Sequence, residues 1–118
     1  MTTKYVQPGE TIDYTPTTAK SSNDVAVLGV LLGVVCADIA ADDTGALAIE
    51  GVWDLPKKAG SAITAGAKLT WSVADSAFTT GAGTAGDTLG GAVAVAAAAS
   101  ADTVVRVKLL PGTGSTVA

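Results

Sequence analysis

The chain has 118 residues, with seven Lys/Arg against eleven Asp/Glu, one cysteine and no histidine. That length suits a single domain burying roughly 65% of the surface its unfolded chain exposes. The net charge of −4 and the scatter of Lys4, Lys20, Lys57, Lys58, Lys68, Arg106 and Lys108 leave no basic stripe for nucleic acid.

The first 24 residues are polar and lack the apolar region of a secretory signal. Within them Lys4–Gln7 and Thr11–Thr15 read as short strands around a Pro8-Gly9 turn, and Pro16 discourages continuation. Residues 1–23 therefore read as an N-terminal arm or edge hairpin. Val25–Leu28 and Leu32–Ala37 are β-branched-rich runs broken by Gly29 and Gly33, and read as two short strands. The uncharged stretch Val25–Ala37 is 13 residues long, short of the ~20 a membrane-spanning helix needs, so no membrane partner is expected. Asp42-Asp43-Thr44-Gly45 is a turn.

Thr44–Leu55 gives the clearest alternation. Leu47, Ile49, Gly51, Trp53 and Leu55 share one face, with Ala46, Ala48, Glu50, Val52 and Asp54 opposite. One half-buried strand is predicted, ended by Pro56. Lys68–Val73 and Ala77–Thr79 follow as strands, and Gly81–Asp87 as a loop. Gly90–Ser100 is ambiguous, because its Ala run favours a helix while Gly90-Gly91, Val93, Val95 and its short length favour a strand. A strand is the preferred reading. Thr103–Leu110 alternates again and should pair with it through Ser100-Ala101-Asp102. These segments make residues 24–110 a β-rich core and 111–118 a flexible tail. The class is all-β, a small β-sandwich or barrel of about seven or eight short strands. Of the 118 residues 23 are Ala and only five are aromatic, so the core is thin and assembly would stabilise it.

Chemistry-bearing patterns are sparse. Without histidine there is no Ser-His-Asp or Cys-His system and no His-containing zinc site. Cys36, at the end of an apolar run, reads as a buried, inert thiol. Glu50 and Asp54 fall on one strand face and read as solvated, not as an acid/base pair. Asp38, Asp42 and Asp43 lack the spacing of a calcium loop. Gly60–Thr70 departs from a phosphate-binding loop: five residues separate its glycines, and Ala67 and Leu69 disrupt the Lys and Thr positions. Trp53 reads as core; Trp71 is open between core and an interface. No catalytic residue, cofactor or metal is expected, and the chain reads as a non-enzyme.

Several words of the sequence carry a resemblance. They are Tyr5–Thr15 (YVQPGETIDYT), Gly33-Val34-Val35, Ala37–Ala40, Thr44–Lys57 (TGALAIEGVWDLPK), Ile63–Trp71 (ITAGAKLTW) and Val104–Leu109 (VVRVKL). Over roughly residues 4–110 the chain resembles the phage family long catalogued as DUF2190, whose members resemble capsid decoration or cement proteins. That family has also been labelled "RecA/RadA-like phage recombinase", and the missing nucleotide-binding loop and basic surface argue against the label here. The stretch around Lys20–Val25 is shorter than in many relatives. The resemblance implies a β-rich fold, self-association, the major capsid protein as partner, and a place on the outer capsid surface of the virion after synthesis in the host cytoplasm. By analogy with decorators a trimer is expected before a dimer. Tyr5, Val6, Gln7, Pro8, Ile12 and Tyr14 are the candidate capsid contacts, because an N-terminal strand could extend an exposed sheet edge. A tail or head–tail connector subunit is the alternative, and a recombination accessory a more remote one.

Overall fold

The structure is a computed structural model and describes residues 9–118. Its regular elements are ten strands and no helix: β1 (Thr11–Tyr14), β2 (Val25–Leu28), β3 (Leu31–Val35), β4 (Gly45–Ala48), β5 (Val52–Pro56), β6 (Lys68–Ser72), β7 (Ala77–Thr79), β8 (Thr88–Ala94), β9 (Val104–Leu109) and β10 (Ser115–Thr116). They form two antiparallel sheets, a four-stranded one ordered β1-β4-β3-β2 and a six-stranded one ordered β5-β9-β8-β6-β7, with β10 beside β8. The all-β sandwich expected from the alternation is present.

In the small sheet, β3 is buried along most of its length because both its faces are covered. Leu32 and Val34 point to the large sheet and join its core. Val35 points the other way and meets Leu47, Ala26, Ile39 and Ile49 in a second, smaller cluster. Gly33 lies directly under the Leu47 side chain, which occupies the space a Cβ would need. Ile39, held by the Lys20–Ile39 bridge, closes this second cluster from the loop side.

The large sheet holds most of the apolar volume. Its cluster brings together Leu55, Ile63, Leu69, Trp71, Phe78, Val105, Val107 and Leu109, among others. Trp71 and Phe78 meet edge to face with centroids 4.9 Å apart, a favoured aromatic geometry. The sheet curls until its ends meet: Lys57 bridges Phe78, and the Lys58 N–H donates to the Phe78 carbonyl at 2.9 Å. A register shift between Leu69 and Thr70 sets two extra residues, Gly90 and Gly91, into β8. Gly90 has φ 80°, open to glycine at little cost. A Cβ on Gly91 would stand 3.0 Å from a Leu32 methyl. The glycine pair thus bends β8 and lets the small sheet lie close on the large one.

Three expectations need correction. Thr44–Leu55 is two strands, not one: the chain leaves the small sheet after Ala48, turns at Glu50-Gly51 with φ 110° at Gly51, and enters the large sheet at Val52. That break and the short β10 raise the strand count to ten. Cys36 is exposed, since β3 ends at Val35; its N–H donates to the Ala46 carbonyl at 3.1 Å and its carbonyl accepts from Ser22 Oγ at 3.5 Å. Residues 115–116, in the segment read as tail, pair with Leu89 and Thr88. Trp71, open in the sequence between core and interface, is buried at 5% exposure, and Trp53 packs half-buried against the same cluster, its Nε1 donating to the Glu50 carbonyl. The Gly90–Ser100 ambiguity resolves as strand through Ala94, after which the Ala run is irregular and Ala98 bridges Ile63.

Candidate functional site

Several side chains of types that carry chemistry in other proteins hold structural ties here. Asp87, 3% exposed, accepts from the Val73 N–H at 3.0 Å and from the Thr84 N–H at 2.9 Å. These backbone donors, Thr84 first, hold its carboxyl below the usual carboxylate range against the opposing effect of burial. Lys57 is buried with its ammonium donating to the carbonyls of Lys58, Ser100 and Asp102 at 3.0, 3.4 and 3.2 Å. It clasps the end of β5 to the turn before β9. Asp54 takes both ends of a fork from Arg106, at 2.9 and 3.2 Å, on the exposed face of the β5–β9 pair. That hydrogen bonding lowers the Asp54 pKa and raises that of Arg106. Glu50, on the turn between the sheets, does not share a strand with Asp54. Asp38 accepts from the Ser22 N–H at 2.8 Å, which makes it part of a loop tie. Among the described residues no three His, Cys, Asp or Glu side chains cluster as metal ligands would, and no helix is long and apolar enough to cross a membrane.

What the molecule offers instead is surface for contact. Of the candidate contacts, Tyr5, Val6, Gln7 and Pro8 lie outside the described residues. Ile12 and Tyr14 lie on β1, which forms one edge of the small sheet and pairs with β4 in the register Ile12–Leu47 and Tyr14–Gly45. Both are half-buried and pack on the second cluster, so only part of each side chain remains for a partner, while Thr11 and Asp13 face outward.

The opposite edge of the small sheet is richer in exposed apolar groups. β2 and β3 form a tight hairpin closed at Leu28–Leu31. Gly29 has φ 61° and Val30 lacks a positive φ, the pattern of a type II′ turn. Val27, Leu28 and Val30 are exposed there, 36–41% each. Beside β2 a shallow groove of about 360 Å³ runs between the sheets, lined by Val25, Val27, Trp71 and Val73 among others. A neighbouring hollow of about 390 Å³ shares Val25 and Trp71 and reaches Lys20, Asp24 and Pro56. The exposed aliphatics at 27–30 were visible as an apolar run. The groove was not, because it joins β2 to the β6–β7 turn across the sandwich.

Among the described residues the small sheet ends in β1 on one side and β2 on the other. A family model described as phage cement protein matches residues 6–109. Searches of curated proteins and of solved structures returned no match. The match covers most of the chain, which therefore belongs to the phage cement protein family.

Proposed function

We propose that this phage cement protein acts purely by contact, bridging neighbouring subunits of the expanded shell on its outer surface and catalysing nothing. Its function is capsid decoration, and its place is the capsid-associated part of the virion. The observation that carries the reading is the family match over residues 6–109, which spans strands of both sheets. The engaged state of Asp54, Asp87 and Lys57 supports a role without catalysis. Many modest contacts repeated by symmetry would add avidity and raise the barrier to shell rupture.

In this reading the family is the one catalogued as DUF2190, on the words YVQPGETIDYT and TGALAIEGVWDLPK, and the recombinase label does not apply. The chain is made in the host cytoplasm and meets the major capsid protein through Tyr5, Val6, Gln7 and Pro8 with the exposed parts of Ile12 and Tyr14. The place of β1 as an outer strand of the small sheet among the described residues supports that choice. Self-association belongs to the same reading, with a trimer favoured by analogy with other decorators and a dimer next.

The test is co-sedimentation of the purified protein with expanded heads that lack it. Saturable binding in a fixed ratio to the major capsid protein is expected. Truncation of residues 1–8, which precede β1, should abolish it while circular dichroism shows the rest of the chain folded. Rings or tubes without head binding would replace the reading with a connector or tail subunit.

A further inference from the structure

β2, an outer strand of the small sheet among the described residues, differs from the other edges. Its residues Val25-Ala26-Val27-Leu28 contain no charge, no proline and no bulge, and uncharged residues continue through Ala37. Natural sheets usually blunt an exposed edge with such devices, because unpaired main chain invites another strand. β1, at the other end of the sheet, carries Asp13 within the strand, and an acid precedes both strands, Glu10 before β1 and Asp24 before β2. On β5 the exposed Asp54 is engaged by Arg106.

The hydrogen-bond phase of β2 follows from its register. Ala26 and Leu28 pair with Gly33 and Leu31, and the Val35 N–H donates to the Asp24 carbonyl. In a two-residue hairpin the closing Leu28–Leu31 pair is hydrogen-bonded, so alternate residues, Ala26 and Leu28, turn their main chain toward β3. Val25 and Val27 then aim their N–H and C=O groups away from the sheet. No described strand lies on that side.

We propose that this edge pairs with the same edge of a second copy, antiparallel, about a twofold axis through Ala26. Val25 of each copy meets Val27 of the other as a hydrogen-bonded pair, and the two Ala26 residues face each other as the close, non-bonded pair, with Cα atoms about 4.5 Å apart. The two small sheets become one continuous sheet. Such a contact is self-complementary, as a twofold interface must be. It sets no like charges against each other, whereas β1 pairing with its own copy would bring Asp13 and Glu10 toward their counterparts. It also covers Val27 and draws in the exposed Val73 at the groove wall. The inference deepens the self-association part of the reading above by naming the surface, and it gives a dimer where analogy gives a trimer.

The experiment measures native mass of the whole purified chain against concentration, without capsids, so its outcome is separate from head binding. Val27→Pro removes an outward N–H while leaving every β2–β3 bond in place, and Val27→Lys sets a charge against Val25 of the other copy and places the two ammonium groups on a diagonal across the axis. Each should weaken dimerisation by about tenfold or more, whereas Val52→Lys, at an exposed valine of β5, should not. Near-ultraviolet circular dichroism confirms the fold of each variant. Ala26→Cys in a Cys36→Ser background should cross-link as a disulfide dimer under mild oxidation. A wild-type chain that stays monomeric overturns the proposal whether or not it binds heads. So does an oligomer that ignores both Val27 variants and fails to cross-link at position 26.

Discussion

The two sheets share one sandwich but are built to different depths. The six-stranded sheet closes around a thirteen-residue cluster containing Trp71 and Phe78, and its ends are joined through Lys57, Lys58 and Phe78. The four-stranded sheet rests on that cluster through Leu32 and Val34, and keeps only five buried residues of its own on the other side. The larger sheet supplies most of the core, which Leu32 and Val34 of the smaller one complete. The smaller one rests on it, and among the described residues its outer strands are β1 and β2, which suits the part of a molecule that must attach to others.

Substitutions in each region test that division. Phe78→Ala empties the centre of the larger cluster and should cost about 3–5 kcal/mol, unfolding both sheets in one transition measured by denaturant titration. Leu47→Ala should cost less, about 2–3 kcal/mol. Its loss should appear in hydrogen exchange as faster opening of β1 to β4 while β6, β8 and β9 stay protected. If both variants melt the sheets together, the division is wrong. Lys57→Met removes the ammonium clasp and leaves three carbonyls without that donor, at a cost of about 2 kcal/mol, read as a lower denaturant midpoint.

Acid should act on the larger sheet's side through Asp87. Its folded pKa lies below the unfolded value of about 3.9, because backbone N–H groups favour the charged form. The stabilisation is therefore complete above that unfolded value and is lost as pH falls through the lower folded one. Asp87→Asn should flatten the pH dependence of stability in that window, measured by thermal melts below pH 4 or so. The smallest effect is expected at Thr88, whose buried Oγ1 has no hydrogen-bond partner among the described residues. Thr88→Val should be neutral or stabilising by up to about 1 kcal/mol.

Much of the larger sheet was legible in the sequence, because β9 alternates strictly between exposed and buried residues and period-two patterning reports a half-buried strand. β3 was legible only as an apolar run, since burial on both faces erases alternation. The break at Glu50-Gly51 was hidden for a different reason. Gly51 falls in phase with Ile49 and Trp53, so a chain passing between sheets looks like one long strand. Cys36 was misjudged because composition describes a run and not where its strand ends. At the candidate site, the sequence showed the edge strands and the apolar 27–30 segment. It could not show which edge was free, nor that Trp71 and Val73 would line a groove beside Val25, since those relations arise only when the sheets stack.

The unequal placing of the two tryptophans has an optical consequence. Trp71 sits inside the larger cluster against Phe78, while Trp53 lies half-exposed beside the Glu50-Gly51 crossing with its indole N–H on a backbone carbonyl. The chain thus contains one emitter shielded from water and one at the joint between its sheets. Trp71→Phe and Trp53→Phe would separate them, so that the opening of the joint and the melting of the barrel-like sheet could be followed as two colours of the same intrinsic light.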